Sequence, residues 1–539
     1  MLPEISLVSS CNSKRDKRRE EAVRLKEGSL AWSSHISRRR FVGSACAFGV
    51  GMHLSNGYAQ KTSEEVIVST PLGRLRGVQR EGVRVFRGIP FAAPPVGPLR
   101  FRPTEPAAAW TGVRDALDFA PAAMQAGRSE RGCSEDCLYL NVWTPTKTGP
   151  HPVLVWIHGG GFEEGASSDP MSRGGAFTQD GIVVVTVAYR LGVFGFLDMG
   201  PLLGSSYAGS ADNGLHDLLA ALKWVKENIA DFGGDPERVT IAGESAGAKL
   251  TDILLGTPTA QKLFQSAISE SGGAERVASH AAADSVAEGF GAAFQTLGGH
   301  ETHAIGGAEA EVLIAAQQRF LKDWPEHFPL RPEVDGQLLT AFPIENLRQG
   351  CARGKRLLIG TNREESAFFL GPKPESDPDA EQLGNVSVSR FDKVAAQYAK
   401  LYPEMTVEER RVRSTTAEEY WIPSVRVAEA KCAYGPTWMY RLDYTRATGR
   451  FAGEAYHTEE LGLVWNRLSA TAPKQEKRLA GQVHEAWVAF LKGRVPAAEG
   501  LPVWPQYNVT SRQTMLLDAV SHVEGDPAGP ERRLWQGTL

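Results

Sequence analysis

RVTIAGESAGAKL, residues 238 to 250, decides the fold. Val239, Thr240 and Ile241 favour an extended strand, Gly243 ends it, and from Ser245 to Leu255 apolar residues recur at helical spacing. Between them Gly243-Glu244-Ser245-Ala246-Gly247 has the G-x-S-x-G form of a sharp strand-to-helix turn that exposes a serine on a strained backbone. Glycine is expected at 243 and 247 because a Cβ at either position would crowd the close approach of strand and helix. The free N–H groups at the start of the helix then face the hydroxyl, where negative charge would develop. Such a motif arises by chance in many chains; the strand before it and the helix after it give it weight.

Upstream, HPVLVWIHGGGFEEG (151 to 165) supplies a complementary part. VLVWI is almost continuously apolar, as befits a strand buried on both faces of a parallel sheet. It delivers His158-Gly159-Gly160-Gly161 at its carboxyl end, where open α/β sheets place their sites. Consecutive glycines let peptide N–H groups turn into a pocket, so Gly160, Gly161 and Ala246 are candidates for an oxyanion hole, with His158 supporting the loop. No GK[ST] follows, which argues against a phosphate-cradling loop. Glu163 and Glu164 come directly after, and either disfavour anionic substrates or face solvent.

From about residue 65 to the end, helical and strand-like stretches alternate without a long linker or a repeat, which predicts one large α/β unit. The first 60 residues differ. They hold ten Lys/Arg and five Asp/Glu, leaving 49 basic against 58 acidic residues in the rest. That mildly acidic body offers no electrostatic reason to bind nucleic acid or an anionic membrane. Within the leader, SRRRFVG (37 to 43) runs into SACAFGVGMHLSNG, and GYA (57 to 59) provides small residues around a cut before Gln60. Residues 1–59 resemble a twin-arginine export signal with an extended basic region, so the export machinery is the expected partner of the precursor and the mature chain is expected in the periplasm or outside the cell. No apolar run is long enough to span a bilayer. Cys133, Cys137, Cys351 and Cys432 remain after such a cut, and CSEDC permits a small disulfide loop between Cys133 and Cys137 or leaves both free. No histidine lies nearby to complete a zinc site there.

FRGIPFAAPPVGPLRFRP (86 to 103), SEDCLYLNVW (134 to 143), HGGGF (158 to 162), YRLGVFGFL (189 to 197), NGLHDLLAALKWVKENIADFGGDPERVTIAGESAG (213 to 247) and TNREESAFF (361 to 369) stand in one order. Together they resemble the type-B carboxylesterase family, which includes the cholinesterases. The resemblance implies an α/β-hydrolase fold over residues 60–539, with a large, mostly parallel central sheet flanked by helices and helical cap insertions. It also implies hydrolysis of small uncharged carboxylic esters through an acyl-enzyme.

A serine nucleophile needs an imidazole, and the imidazole a carboxylate. This fold places Ser, then Asp or Glu, then His along the chain. After Glu365 the histidines are His457, His484 and His522; GEAYHTEELGLVW resembles the family's histidine segment and selects His457, with Glu460 three residues on. His484 belongs to an amphipathic helix, and His522 to a polar, exposed stretch. The family motif aligns Glu365 with the acid, Glu364 being left beside it, and Ser271 in AISESGG with a serine that supports the acid. Glu244 is expected to point away from Ser245 and to hold surrounding loops. The mechanism so implied needs no metal or organic cofactor.

Ala123 stands where a family cysteine would pair with Cys137, and AGRSERG lacks the tryptophan that cholinesterases place there, which argues against choline esters. AEAEVLIAAQQRFLKDW reads as an amphipathic cap helix. Phe320, Trp324, Phe328, Phe368, Phe369, Tyr420 and Trp421 are candidates to line an apolar cleft. A lipase, thioesterase or amidase would use the same triad, and a non-catalytic cholinesterase-like domain is the alternative from another class.

Overall fold

The computed structural model describes residues 64–539 except 128, 130, 298–300 and 371–383. The leader, 1–59, lies outside the described residues. Lys61–Leu539 form one compact unit.

Three antiparallel strands begin it: β1 (Glu64–Thr70), β2 (Gly73–Arg80) and β3 (Val83–Pro90), with β4 (Val113–Asp115) beside β2. Next come the two-residue strands β5 (Ala122–Ala123) and β6 (Cys133–Ser134), which pair only with each other. The remaining strands are β7 (Tyr139–Pro145), β8 (His151–Ile157), β9 (Val183–Val187), β10 (Gly234–Glu244), β11 (Ser266–Glu270), β12 (Arg356–Asn362), β13 (Thr437–Leu442), β14 (Gln513–Leu517) and β15 (His522–Gly525). The main sheet runs β1-β2-β3-β7-β9-β8-β10-β11-β12-β13-β14-β15. From β9 to β14 every neighbouring pair is parallel, with antiparallel strands outside on both flanks. This is an α/β-hydrolase sheet.

The apolar runs are explained by burial on both faces. In β8, Val153, Val155 and Ile157 enter one core, and Leu154 and Trp156 the other. Helix α1 (Asn213–Asn228) covers the first face through Leu215, Leu218, Leu222 and Val225, together with α2 (Ala246–Leu255). The amphipathic α7 (Lys474–Leu491) covers the second through Leu479, Val483, Trp487 and Phe490. Between lie α3 (His280–Gln295), α4 (Ala310–Asp323), α5 (Val407–Thr416) and α6 (Ile422–Cys432). The amphipathic helix read from the sequence forms as α4, and α5 passes into α6 through one π-helical turn, Ala417–Trp421.

Cys133, Cys137, Cys351 and Cys432 are free thiols. The CSEDC loop is held instead by the β5–β6 pair and by an Arg100–Glu135 ion pair.

Candidate active site

The site is assembled at the carboxyl ends of β8, β10, β11 and β12. Strand β10 ends at Glu244 and α2 begins at Ala246, so Ser245 carries the whole change of direction, at φ 56° and ψ −123°. A non-glycine residue there costs roughly 1–3 kcal/mol and persists because its surroundings enforce it. Ser245 N–H donates to the Glu270 carbonyl at 2.9 Å. A Cβ on Gly243 would meet the backbone of Gly247, and one on Gly247 the Ile157 carbonyl oxygen, so neither glycine has an alternative.

The glycine loop follows β8. Gly160 has φ 109° and Gly161 φ 63°, which orient the loop as only glycine does without strain. Among the described residues no group accepts from the N–H of Gly160, Gly161 or Ala246, which leaves these donors available. His158 supports the loop: Nδ1–H donates to the Gly159 carbonyl at 2.9 Å, and the ring stacks on Tyr189 at 4.4 Å. Tyr189 in turn donates from its hydroxyl to the His158 carbonyl at 2.7 Å. Burial lowers the His158 imidazole to about 4, so it is neutral near pH 7 and unsuited to act as a cation.

Past the end of β12 the acid and the imidazole meet. His457 Nδ1 lies 2.6 Å from Glu365 Oε2. The opposite oxygen, Oε1, accepts from the Ser271 hydroxyl at 2.5 Å and from the Asn362 N–H at 2.7 Å. All of these residues are buried. Glu364 is turned aside, accepting from the Ala455 N–H at 2.9 Å and pairing with Arg363. His484 is structural, bonded to the Val464 carbonyl at 2.7 Å and to Asp180 at 2.9 Å, and His522 is exposed at the start of β15.

Glu244 does more than the sequence suggests. Its Oε2 packs against Gly159 of the glycine loop, and Oε1 lies 3.0 Å from His457 Nε2, the ring nitrogen facing away from Glu365, without hydrogen-bond geometry. The reason is that Ser245 reverses the chain while Glu244 still belongs to the strand, and its buried side chain runs toward the imidazole. No hydrogen bond joins Ser245 Oγ to His457, so the imidazole rests against Glu244.

Glu244 is one of four buried acids here. Parallel register sets it beside Glu270, and Glu460 lies within the same electrostatic neighbourhood as Glu365. Burial, and then the neighbouring carboxylates, hold Glu244 and Glu460 well above the usual carboxylate range. Burial raises Glu270 to about 8 against the opposing Trp487 N–H, which donates to Oε1 at 2.7 Å. Glu460 accepts from the Asn362 amide. Sequence reasoning missed Asn362, Glu270, Trp487 and Tyr440, whose buried hydroxyl has no hydrogen-bond partner. Asn362 and Glu270 sit inside TNREES and AISESGG, and their place one step before Glu365's loop and Ser271 was the available signal.

Phe368, Phe369 and Tyr420 surround the His457 ring, with centroids 6.0, 5.1 and 4.9 Å away. The Phe328 ring packs directly on Gly161. Phe320 and Trp324 pack together, Phe320 also against Phe290 of α3, and Trp421 faces Arg441, so these three belong to the framework.

A strand-turn-helix serine, free peptide N–H groups opposite and a glutamate-held imidazole define an α/β-hydrolase of the serine carboxylic ester hydrolase class. The carboxylesterase family model matches residues 64–535, and the chain belongs to that family. It is 36% identical to the para-nitrobenzyl esterase of Bacillus subtilis over 87% of this chain and 98% of that protein. It is 33% identical to the liver carboxylesterase of Sus scrofa over 84% and 89%. Among solved structures, one titled PNB esterase superposes with a TM-score of 0.78 at 36% identity, covering 87% of this chain and 99% of that one. A Geobacillus stearothermophilus carboxylesterase gives 0.77 at 37%, over 87% and 100%. The chain is an ester hydrolase acting on a small-molecule ester, and no helix among its described residues is long and apolar enough to cross a membrane.

Proposed function

We propose that Ser245 is the nucleophile, His457 the general base and acid, and Glu365 the group that fixes the imidazole. The observation carrying this is the relay Ser271–Glu365–His457, in a fold whose strand-to-helix turn holds Ser245 at positive φ next in sequence to Glu244, against which the imidazole rests. With its proton on Nδ1, His457 presents Nε2 as the base. The imidazole leaves Glu244, takes the proton from Ser245 Oγ as the oxygen attacks the ester carbonyl, and returns it to the departing alcohol. The N–H groups of Gly160, Gly161 and Ala246 receive the oxyanion. Water then attacks the acyl-enzyme by the same route. No nucleic acid enters this reading.

The aromatic wall of Phe328, Phe368, Phe369 and Tyr420 favours an uncharged, apolar acyl or alcohol group. Burial raises Glu163, directly after the glycine loop, to about 8, and it adds no cation for an anionic substrate. The relatives carry different substrates in their names, including fumonisin B1 and a medium-chain fatty acyl-CoA, so likeness alone selects none. Steady-state hydrolysis of p-nitrophenyl acetate, butyrate and decanoate is the test, beside Ser245→Ala. Turnover by the parent that vanishes in Ser245→Ala supports the assignment, and equal rates in both sink it. Matched amide and thioester substrates separate esterase from amidase and thioesterase.

The basic leader and its SRRRFVG segment support export by the twin-arginine route to the periplasm or beyond. Changing Arg38, Arg39 and Arg40 to Lys is expected to retain the precursor in the cytoplasm, read by cell fractionation. Unchanged export would refute this route.

A further inference from the structure

We propose that Asp198, Glu333 and His280 bind a divalent cation of the manganese or zinc type, at a place apart from the ester-hydrolysing residues. One ligand atom from each of the three lies within 4.8 Å of the others. Asp198 follows the segment leaving β9, His280 opens α3, and Glu333 lies in the stretch leading from α4 toward β12.

The carboxyl groups are built in. Asp198 is 1% exposed and Glu333 is fully buried. Asp198 Oδ1 accepts from the N–H of Gly200 at 3.0 Å and of Gly209 at 3.1 Å, which leaves Oδ2 buried and without a hydrogen-bond partner. Glu333 Oε2 is 3.4 Å from His280 Nδ1, and Oε1 has no partner. Asp212 repeats the pattern next door: Oδ1 accepts from the Glu333 N–H at 3.0 Å, and Oδ2 is unpaired. Asp335 adds a further charge, tied down by the N–H groups of Gln337 and Leu339.

This arrangement is costly by itself. Asp198 Oδ2, Asp212 Oδ2 and Glu333 Oε1 are three buried carboxylate oxygens without a hydrogen-bond partner among the described residues. Beside them the His280 imidazole is exposed, with Nδ1 near Glu333 Oε2. An unpaired buried carboxylate oxygen costs free energy unless a proton or a cation takes it. Backbone anchoring of one oxygen while the other is presented is how outer contacts orient metal-binding carboxylates. The imidazole decides the cation: two carboxylates with one imidazole suit manganese or zinc, whereas calcium and magnesium prefer oxygen alone. Because the His280 ring faces solvent, an ion has a path in.

Two of the three segments that the site would join are already in register. Ala278 N–H donates to the Pro332 carbonyl at 2.7 Å, and Val334 N–H to the Ala278 carbonyl at 2.9 Å. The Glu333 stretch also carries Phe328, whose ring packs on Gly161, so occupation would brace the wall of the substrate cleft without entering the reaction.

The test is calorimetric titration of untagged full-length chain, stripped by chelator, with MnCl2, ZnCl2 and CaCl2, alongside melting curves. One equivalent of manganese or zinc is expected to bind and raise the melting temperature, with calcium at least about tenfold weaker. Glu333→Gln and the surface variant His280→Ala should each weaken binding at least about tenfold, the scale seen when metal-site partners are lost. His280→Ala also guards against misfolding, since His280 is exposed and the variant should retain the parent's far-UV circular dichroism and cooperative melting. Absence of binding by the parent, or equal binding by both variants, overturns the proposal. So does a Glu333→Gln chain that is simply more stable while the parent ignores all three metals, since that outcome identifies an acid cluster holding protons.

Discussion

The imidazole of His457 touches Glu365 through Nδ1 and rests near Glu244 through Nε2, and the two acids are placed in opposite ways. Glu365 accepts from three groups, whereas Glu244 Oε1 has no hydrogen-bond partner and burial holds its carboxyl well above the usual range. A neutral Glu244 leaves the imidazolium formed during attack without a counter-charge at Nε2, and an ionised one stabilises it. Activity should therefore keep rising on the alkaline side as Glu244 ionises. In Glu244→Gln that counter-charge is missing at every pH, so kcat/KM should fall roughly tenfold, about 1.4 kcal/mol, and that alkaline rise should disappear. The pH–rate profile of the pair checks this. Ser271→Ala removes one donor from Glu365 Oε1; a hydrogen bond to a charged group contributes about 1.5–3 kcal/mol, so kcat should drop about tenfold or more with KM little changed. An unchanged kcat would show that the Asn362 N–H suffices.

At the scale of elements, α2 is tied to the π-helical turn between α5 and α6. Lys249 on α2 lies 3.0 Å from Glu419 Oε1, and Arg276 binds the same carboxylate. Against burial, which raises it, Arg276 and then Lys249 pull Glu419 down to about 2. This contribution to stability is present above the unfolded carboxyl's range and is lost as pH falls toward 2. Glu419→Gln leaves two buried cations short of a partner and should cost about 3–5 kcal/mol, seen as a lower melting temperature at pH 7 and a smaller loss on acidification. Strands and helices of this kind were legible because their periods are local: VLVWI, RVTIAG and the α4 pattern all form where they were read. The convergence of Glu244, Glu270 and Glu460 was not. It depends on a cross-strand register that pairs Glu244 with Glu270, and no local pattern carries that information. The aromatic cleft was half legible for the same reason, since a Phe328 in the wall and a Phe320 in the core have the same chemistry until the chain is folded.

For the whole molecule, several buried acids carry protons in the folded state that the unfolded chain would release. Burial lifts Glu270 to about 8, and it lifts Asp252 to about 7 although the Ser269 hydroxyl and Gly273 N–H oppose it. Between about pH 4.5 and these values the folded chain binds more protons than the unfolded one, so stability falls as pH rises, by up to roughly 1.4 kcal/mol per unit for each group. Melting temperatures recorded from about pH 5 to about pH 8 should decline, and Glu270→Gln should decline less steeply. A flat parent profile would mean that these acids are ionised when folded. The order of strands was legible only through family resemblance, because parallel crossovers join residues far apart in sequence. The close fit of Gly247 against the Ile157 carbonyl has a wider consequence. The same contact fixes where the nucleophile's helix starts and where the glycine loop leaves β8, so attack and charge stabilisation are inherited as one rigid unit. Diversification toward new esters is thereby channelled into the surrounding loops, where a substitution can reshape the cleft without disturbing the distance between the two reacting halves.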